Sequence, residues 1–245
     1  MQEAFQRTAL VLGEDALERL EKAHICVVGL GGVGSYVAEA LARSGVGQLT
    51  LVDDDTVNLT NCNRQLCALH STVGRPKAEV VAARVRDINP ECRVNPLNLR
   101  YTGTELELGA FDYVADAIDS LADKLMLIEN AAKSRTPILS CMGTGNKLDA
   151  TQLRAADIEK TCGCPLAKRV RVALRQRGIS HLQVIFSPEL PQKRDPAETT
   201  IGSVPWVPSA AGLLMAATMV RNLLDDRCVI PKYRPLQSQQ NPTEQ

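Results

Sequence analysis

The chain has 245 residues, enough for one large domain or one and a half with a core of its own. Lys plus Arg equals Asp plus Glu at 28 each, so there is no global basic field, and a nucleic-acid partner would have to be met by a local patch. Hydrophobic residues make up 44% and aromatics only 3%, which leaves the core to aliphatic side chains. The longest apolar run, Ala210 to Val220, falls well short of the roughly 20 residues of a membrane span, and no charged-apolar-small leader opens the sequence. A cytoplasmic protein with reduced thiols is expected.

In chain order, Phe5 to Leu20 places Leu10, Leu17 and Leu20 at helical spacing, interrupted at Gly13. His24 to Val28 is a short apolar strand. It runs into Gly29-x-Gly31-x-x-Gly34 and a helix of small residues over Val37 to Ala42. Strand, glycine loop, helix is the layout that gathers backbone N–H groups and a positive helix end around a phosphate. Gly45-Val46-Gly47 ends that helix, and Gln48 to Val52 is a second strand tipped by Asp53-Asp54-Asp55. An acid at this interval past the glycines can bond a ribose hydroxyl.

A polar connection, Thr56 to Thr72, leads to Pro76 at a helix start, and Lys77 to Ile88 carries Val80, Val81, Val85 and Ile88 on one face. Arg93 to Leu99 reads as a third strand and Tyr113 to Ile118 as a fourth, with Asp119 at its end. Leu121 to Lys133 reads as a helix and Pro137 to Cys141 as a fifth strand. This alternation predicts an α/β fold: a doubly wound, mostly parallel sheet of Rossmann-like type. Ligands on such sheets lie outside the carboxyl ends of the strands, where Gly29–Gly34, Asp53 and Asp119 all fall.

The second half predicts a smaller α/β extension. Gln152 to Ile158 and Leu182 to Phe186 read as strands, with a basic helix from Pro165 to Arg177 between them. Ser187 to Val204, rich in proline and charge, is expected to be a mobile loop. Ser209 to Leu224 is an apolar helix suited to core or dimer packing. The expected organisation is a helical segment over 1–22, a nucleotide domain over 23–143, a half with substrate and dimer elements over 144–230, and a disordered tail over 231–245.

The connection after the second strand carries most of the chemistry. Asp53, Asp55, Asn61, Arg64 and Gln65 crowd one loop, and Lys77 opens the next helix. Lysine and arginine on facing segments can grip triphosphate oxygens, for which a nicotinamide cofactor has no evident use. Asp119, followed by Ser120, suits a magnesium ligand beside phosphates or a cap for the next helix. Cys26, Cys92 and Cys141 sit in strand-like runs as small core residues. No C-x-x-C pair occurs, and Cys162-Gly163-Cys164 lacks the further ligands of a closed zinc site, so no zinc is expected. Lys168, Arg171 and Arg175 on the basic helix are candidates for reading nucleic-acid phosphates, against the plain alternative of a solvated face.

Gly-x-Gly-Gly-x-Gly, the Asp-x-Asp strand tip, Asn61-x-x-Arg64-Gln65, Gly-x-Pro-Lys77 and the Asp119 strand end together resemble the adenylating superfamily of ubiquitin-activating enzymes. The match spans about residues 5–143. The resemblance implies ATP and magnesium as ligands. Gly29, Gly31, Gly32, Gly34 and Asp53 would contact the nucleotide. Asn61, Arg64 and Lys77 would hold its phosphates, Asp55, Gln65 and Ser120 would also bind ATP, and Asp119 would bind magnesium. Arg7 stands where that superfamily sends an arginine into the partner subunit's site, which implies a homodimer.

Finer detail resembles one branch, the bacterial tRNA threonylcarbamoyladenosine dehydratases. It includes Phe5-x-Arg7-Thr8, Ala38-Glu-Ala-Leu-Ala-Arg-Ser-Gly, Ile88-Asn-Pro-Glu-Cys-Arg-Val and Cys164-Pro-Leu-Ala-Lys. The implied activity is that of an ATP-dependent, ligase-like enzyme. It would close a ring on the modified adenosine beside the anticodon of a tRNA, with Arg7, Arg64, Lys77 and Asp119 as catalytic residues. The alternative is adenylation of the Gly-Gly terminus of a ubiquitin-like sulfur carrier, whose enzymes usually carry the two C-x-x-C pairs missing here. A sulfurtransferase is a further candidate partner.

Overall fold

The computed structural model describes residues 3–192, 195, 197 and 199–234. Two short helices come first, α1 (Gln6–Leu12) and α2 (Glu14–Lys22), hinged at Gly13. Leu17 and Leu20 of α2 are buried, whereas Leu10 on α1 is 87% exposed. Five parallel strands follow, with helices between them: β1 (His24–Val28), α3 (Gly34–Arg43), β2 (Gln48–Val52), α4 (Lys77–Ile88), β3 (Arg93–Leu97), β4 (Tyr113–Asp116), α5 (Leu121–Ser134) and β5 (Ile138–Cys141). The later elements are β6 (Arg154–Asp157), α6 (Pro165–Gln176), β7 (Ile179–Ser180), β8 (Gln183–Phe186), α7 (Trp206–Leu224) and β9 (Lys232–Tyr233).

The main sheet has the order β3-β2-β1-β4-β5-β8-β6. Every pair is parallel except β6–β8. β1, β4, β5 and β8 are almost wholly buried, as strands covered by helices on both faces must be. The second half therefore extends the same sheet, and the apolar cores on its two faces both draw on residues from before and after 143.

Several boundaries differ from the sequence reading. β3 stops at Leu97 and β4 at Asp116, so Asp119 lies three residues beyond its strand. α7 begins at Trp206, a turn earlier than expected, because Pro208 falls in the first turn, where a missing N–H costs nothing. α7 is long and apolar enough to cross a membrane by composition alone, yet much of it is buried, packed mainly beside α3. Residues 231–234 are not part of a disordered tail. Lys232–Tyr233 pairs with β7, and the Arg234 N–H donates to the Gly178 carbonyl at 2.8 Å. Residues 235–245 lie outside the described residues.

The proline-rich loop is tied down at both ends; residues 193, 194, 196 and 198 within it lie outside the described set. The buried Lys147 amine donates to the Ser187 and Glu189 carbonyls at 2.7 and 2.8 Å. In return, the Glu189 carboxylate accepts from the N–H groups of Leu148 and Asp149. Asn146 exchanges hydrogen bonds with Gly202, and the Trp206 indole N–H donates to the Leu148 carbonyl at 2.7 Å. Desolvation pushes the Lys147 amine below its ordinary range.

Candidate functional site

The crevice is built at the carboxyl ends of β1, β2 and β4. Gly29 turns the chain out of β1 at φ +88°, and an added Cβ there would stand 2.7 Å from the Ala117 carbonyl oxygen beyond β4. At Gly34 a Cβ would collide with the Gly29 carbonyl. Both positions demand glycine because two backbones pass without a side chain between them. The loop is then clamped by Asp53. One of its carboxylate oxygens accepts the Leu30 N–H at 2.6 Å, and the other accepts the Asp55 N–H at 2.9 Å. Burial raises the Asp53 carboxyl above its usual range, against the opposing pull of Lys77 and these two N–H donors.

Lys77 opens α4 and reaches back to Asp55, with Nζ 2.6 Å from Oδ2. The ammonium keeps two further N–H donors for a ligand oxygen. Between them lies the connection that carries Asn61, Arg64 and Gln65. Asn58 caps its helical turn Leu59–Asn61, and Asn61 Oδ1 accepts the Asn58 N–H at 3.0 Å, which fixes the Asn61 amide. Arg64 is steadied by the Thr60 carbonyl and by Asn63 Oδ1 at 2.9 Å. An added Cβ on Gly32 would stand 3.4 Å from Arg64 Cγ and 3.2 Å from Pro208 Cβ. Gln65 is buried, and its Nε2 would lie 3.7 Å from a Cβ on Gly31. The glycine loop, Asp53, Asp55, Arg64, Gln65 and Lys77 therefore share one neighbourhood, and the N-terminal turn of α7 closes one side of it.

Asp119 comes to the same end of the sheet on the loop behind Ala117. It is exposed and bonds no other side chain among the described residues. Ser120 is the N-cap of α5, but its hydroxyl makes no capping bond, so the capping alternative weighed for Asp119 has no support in the geometry. Arg7 lies elsewhere, exposed on α1. Of the three basic-helix candidates, Arg171 is spent on Thr161 Oγ1 and on the carbonyls of Thr161 and Ile158, and Arg175 is paired with Glu159. Lys168 forms no ion pair with any of the described residues.

A buried network behind the crevice escaped the sequence reading. Lys124 Nζ, with a side chain 0% exposed, donates to Asp116 Oδ2 at 2.8 Å, to Ser140 Oγ at 3.2 Å and to the Cys141 carbonyl at 3.0 Å. Ser140 donates to the same Asp116 oxygen at 2.5 Å, while Asp116 Oδ1 accepts the Ile118 N–H at 3.1 Å. The network welds β4, β5 and α5 together and sets the path of the two residues that lead to Asp119. One signal was available: Lys124 stands in register with Ile128 and Ala131 on the buried face of α5. An ammonium at such a position requires a buried acceptor.

The crevice gathers residues of the sequence motifs into one place, and the ThiF family profile matches residues 5–243. The chain belongs to the ThiF family. Among ThiF-family relatives, a tRNA threonylcarbamoyladenosine dehydratase of Bacillus subtilis (strain 168) is 45% identical over 241 residues, covering 91% of this chain and 95% of the relative. The tRNA threonylcarbamoyladenosine dehydratase of Escherichia coli (strain K12) is 46% identical over 175 residues, 70% of this chain and 65% of that protein. The crystal structure of the E. coli tRNA N6-threonylcarbamoyladenosine dehydratase in complex with ATP superposes with a TM-score of 0.85 at 37% identity, covering 91% of this chain and 95% of that one.

Proposed function

We propose that this protein is a tRNA threonylcarbamoyladenosine dehydratase that uses ATP to cyclise the threonylcarbamoyl group of the modified adenosine beside the anticodon. The extent of the likeness carries this reading. It covers 95% of the Bacillus relative and so includes the second half of the chain as well as the nucleotide half. That breadth favours a tRNA substrate over a sulfur-carrier tail.

In the first step the threonyl carboxylate attacks the α-phosphorus of ATP, the bond to the bridging oxygen breaks, and pyrophosphate leaves. Backbone N–H groups of the glycine loop and the Arg64 and Lys77 cations sit where negative charge accumulates, a preorganised stabilisation that is usually the largest single contribution. Asp119, an exposed hard-oxygen donor two residues past the contact between Ala117 and Gly29, would hold Mg²⁺, which neutralises phosphate charge when bound. In the second step the substrate's own carbamoyl group attacks the acyl carbon. AMP departs with the carboxyl oxygen, and the carbamoyl proton goes to solvent. Because this step is intramolecular, proximity can supply about 7–11 kcal/mol in favourable cases. No protein nucleophile takes part. The active form is a two-fold cytoplasmic dimer; Leu10 and Val11, 87% and 83% exposed beside Arg7, supply an apolar surface for the second copy.

The direct test is mass spectrometry of threonylcarbamoyl-modified tRNA after incubation with the protein and ATP. Loss of one water from the modified nucleoside, dependent on ATP, is expected. An unchanged nucleoside, with pyrophosphate exchange that needs a Gly-Gly-ended carrier instead, would overturn the assignment. Cys162→Ser combined with Cys164→Ser is expected to keep most of the activity. Cys162 is exposed and Cys164 is packed against Gly143, and an intramolecular attack leaves neither thiol a task. Stoichiometric zinc in the purified protein, or a dead double variant, would contradict this.

A further inference from the structure

At the amino edge of the sheet, the end away from the crevice, the last turn of α5 and the final described strand border an open cavity of about 550 Å³. Four of the residues that line it are cationic: Lys133, Arg135, Lys232 and Arg234. Arg177 lies beside it, sharing Glu129 with Lys133. Glu129 is the one carboxylate that ion-pairs with any of these five cations among the described residues; Arg135, Lys232 and Arg234 have none. The Lys133 ammonium also lies 5.5 Å from the centre of the Tyr233 ring. The C-terminal end of α5 adds no positive charge of its own, so the field here comes from side chains.

We propose that this basic cavity binds the phosphate backbone of the RNA substrate, away from the reacting nucleotide. The inference rests on the tRNA reading above. The chain has no net charge, so five cations against one paired carboxylate are a local concentration. Lys133, Arg135, Lys232 and Arg234 are exposed on long side chains. Among the described residues no ring of backbone N–H groups or buried donor grips a compact monophosphate here. Cations of this kind suit a row of phosphates, where binding proceeds by counterion release. The place fits as well. β5 alone spans about 13 Å at the usual rise per residue, so this cavity lies a strand's length from the crevice, a separation that a nucleic-acid stem covers. The basic helix α6 is a poorer candidate, because Arg171 and Arg175 already serve the protein.

The test is equilibrium binding of unmodified tRNA across a salt series. It compares the wild-type protein with the triple variant Arg135→Gly, Lys232→Gln, Arg234→Gln. Glycine is chosen at 135 because this residue caps α5 at φ +58°, where glycine fits without strain. The variant is expected to bind tRNA at least tenfold more weakly at low salt. The slope of log affinity against log salt should become shallower by about 2–3, one unit for each phosphate no longer neutralised. ATP binding and turnover at saturating tRNA should stay at wild-type values. The lysine variant Arg135→Lys, Arg234→Lys should keep the wild-type slope. A triple variant with wild-type affinity and slope overturns the proposal and leaves the tRNA reading intact. A wild-type protein that binds ATP but no tRNA overturns both.

Discussion

Lys124→Ala is expected to cost about 3–5 kcal/mol of folding stability, the range found when one partner of a buried ion pair is removed. Lys124 and Asp116 are both fully buried, 2.8 Å apart. Truncation would leave the Asp116 carboxylate with the Ser140 hydroxyl and the Ile118 N–H as its donors, and the Cys141 carbonyl would lose its lysine donor. The loss is mostly the expense of stranding a charge rather than the value of the pair itself, since replacing whole buried pairs with apolar groups is often neutral. The combined variant Lys124→Met, Asp116→Leu, Ser140→Ala should therefore recover most of the lost stability. Urea unfolding of the two variants beside the wild type decides it. A Lys124→Ala protein within 1 kcal/mol of the wild type, which is roughly the value of an exposed pair, would show that the network is not what holds β4, β5 and α5 together.

The same network shows where the sequence was legible and where it was not. Parallel strands covered on both faces are mostly apolar, so β1, β2, β4 and β5 stand out as short runs of mainly apolar residues, Asp116 and Ser140 being the exceptions that the network accounts for. Gly29 and Gly34 stand out because the backbone that passes each of them leaves no room for a side chain. The candidate site residues on the connection after β2 stand close together in sequence, and local turns hold two of them in the structure: Asn61 answers Asn58 three residues away, and Lys77 follows Pro76 at the start of α4.

What stayed hidden depends on distant partners. Lys124 counts as an interruption in the α5 pattern until β4 and β5 are known to end beside it. Lys147 meets the Glu189 carbonyl across 42 positions, on a segment whose composition reads only as loop. β9 has two residues, too few for any alternation to show, and forms because β7 offers it an edge. Strand ends were overrun at Leu99 and Ile118 for a related reason. The chain remains apolar there after it has left the ladder, because those side chains still pack against the core on one face of the sheet.

In the two-fold dimer proposed above, the Arg7→Ala and Asp119→Ala proteins are each expected to be nearly inactive in cyclisation, and a mixture of the two to regain activity. Phe5 packs within 3.7 Å of a Cβ placed on Gly45, at the end of α3 remote from the crevice. Arg7 follows two residues later, on α1. α3 has 10 residues and so is about 15 Å long, beyond the reach of an arginine side chain toward the crevice of its own chain. An arginine that serves the nucleotide from this position must therefore serve the partner's, as a guanidinium supplied in trans to the separating pyrophosphate. Asp119 belongs to the crevice of its own chain. A mixed dimer then has one site that joins the intact Asp119 of the first chain to the intact Arg7 of the second, and one site that lacks both. With equal amounts and random exchange, half of the dimers are mixed, and each has one working site of two. Roughly a quarter of wild-type activity should return. Both substitutions are on exposed side chains, so thermal melting should match the wild type. Exchange is verified by native mass spectrometry of differently tagged chains. Verified mixed dimers with no recovered activity would place Arg7 outside the partner's site, and substantial activity in the Asp119→Ala homodimer would remove that carboxylate from the chemistry.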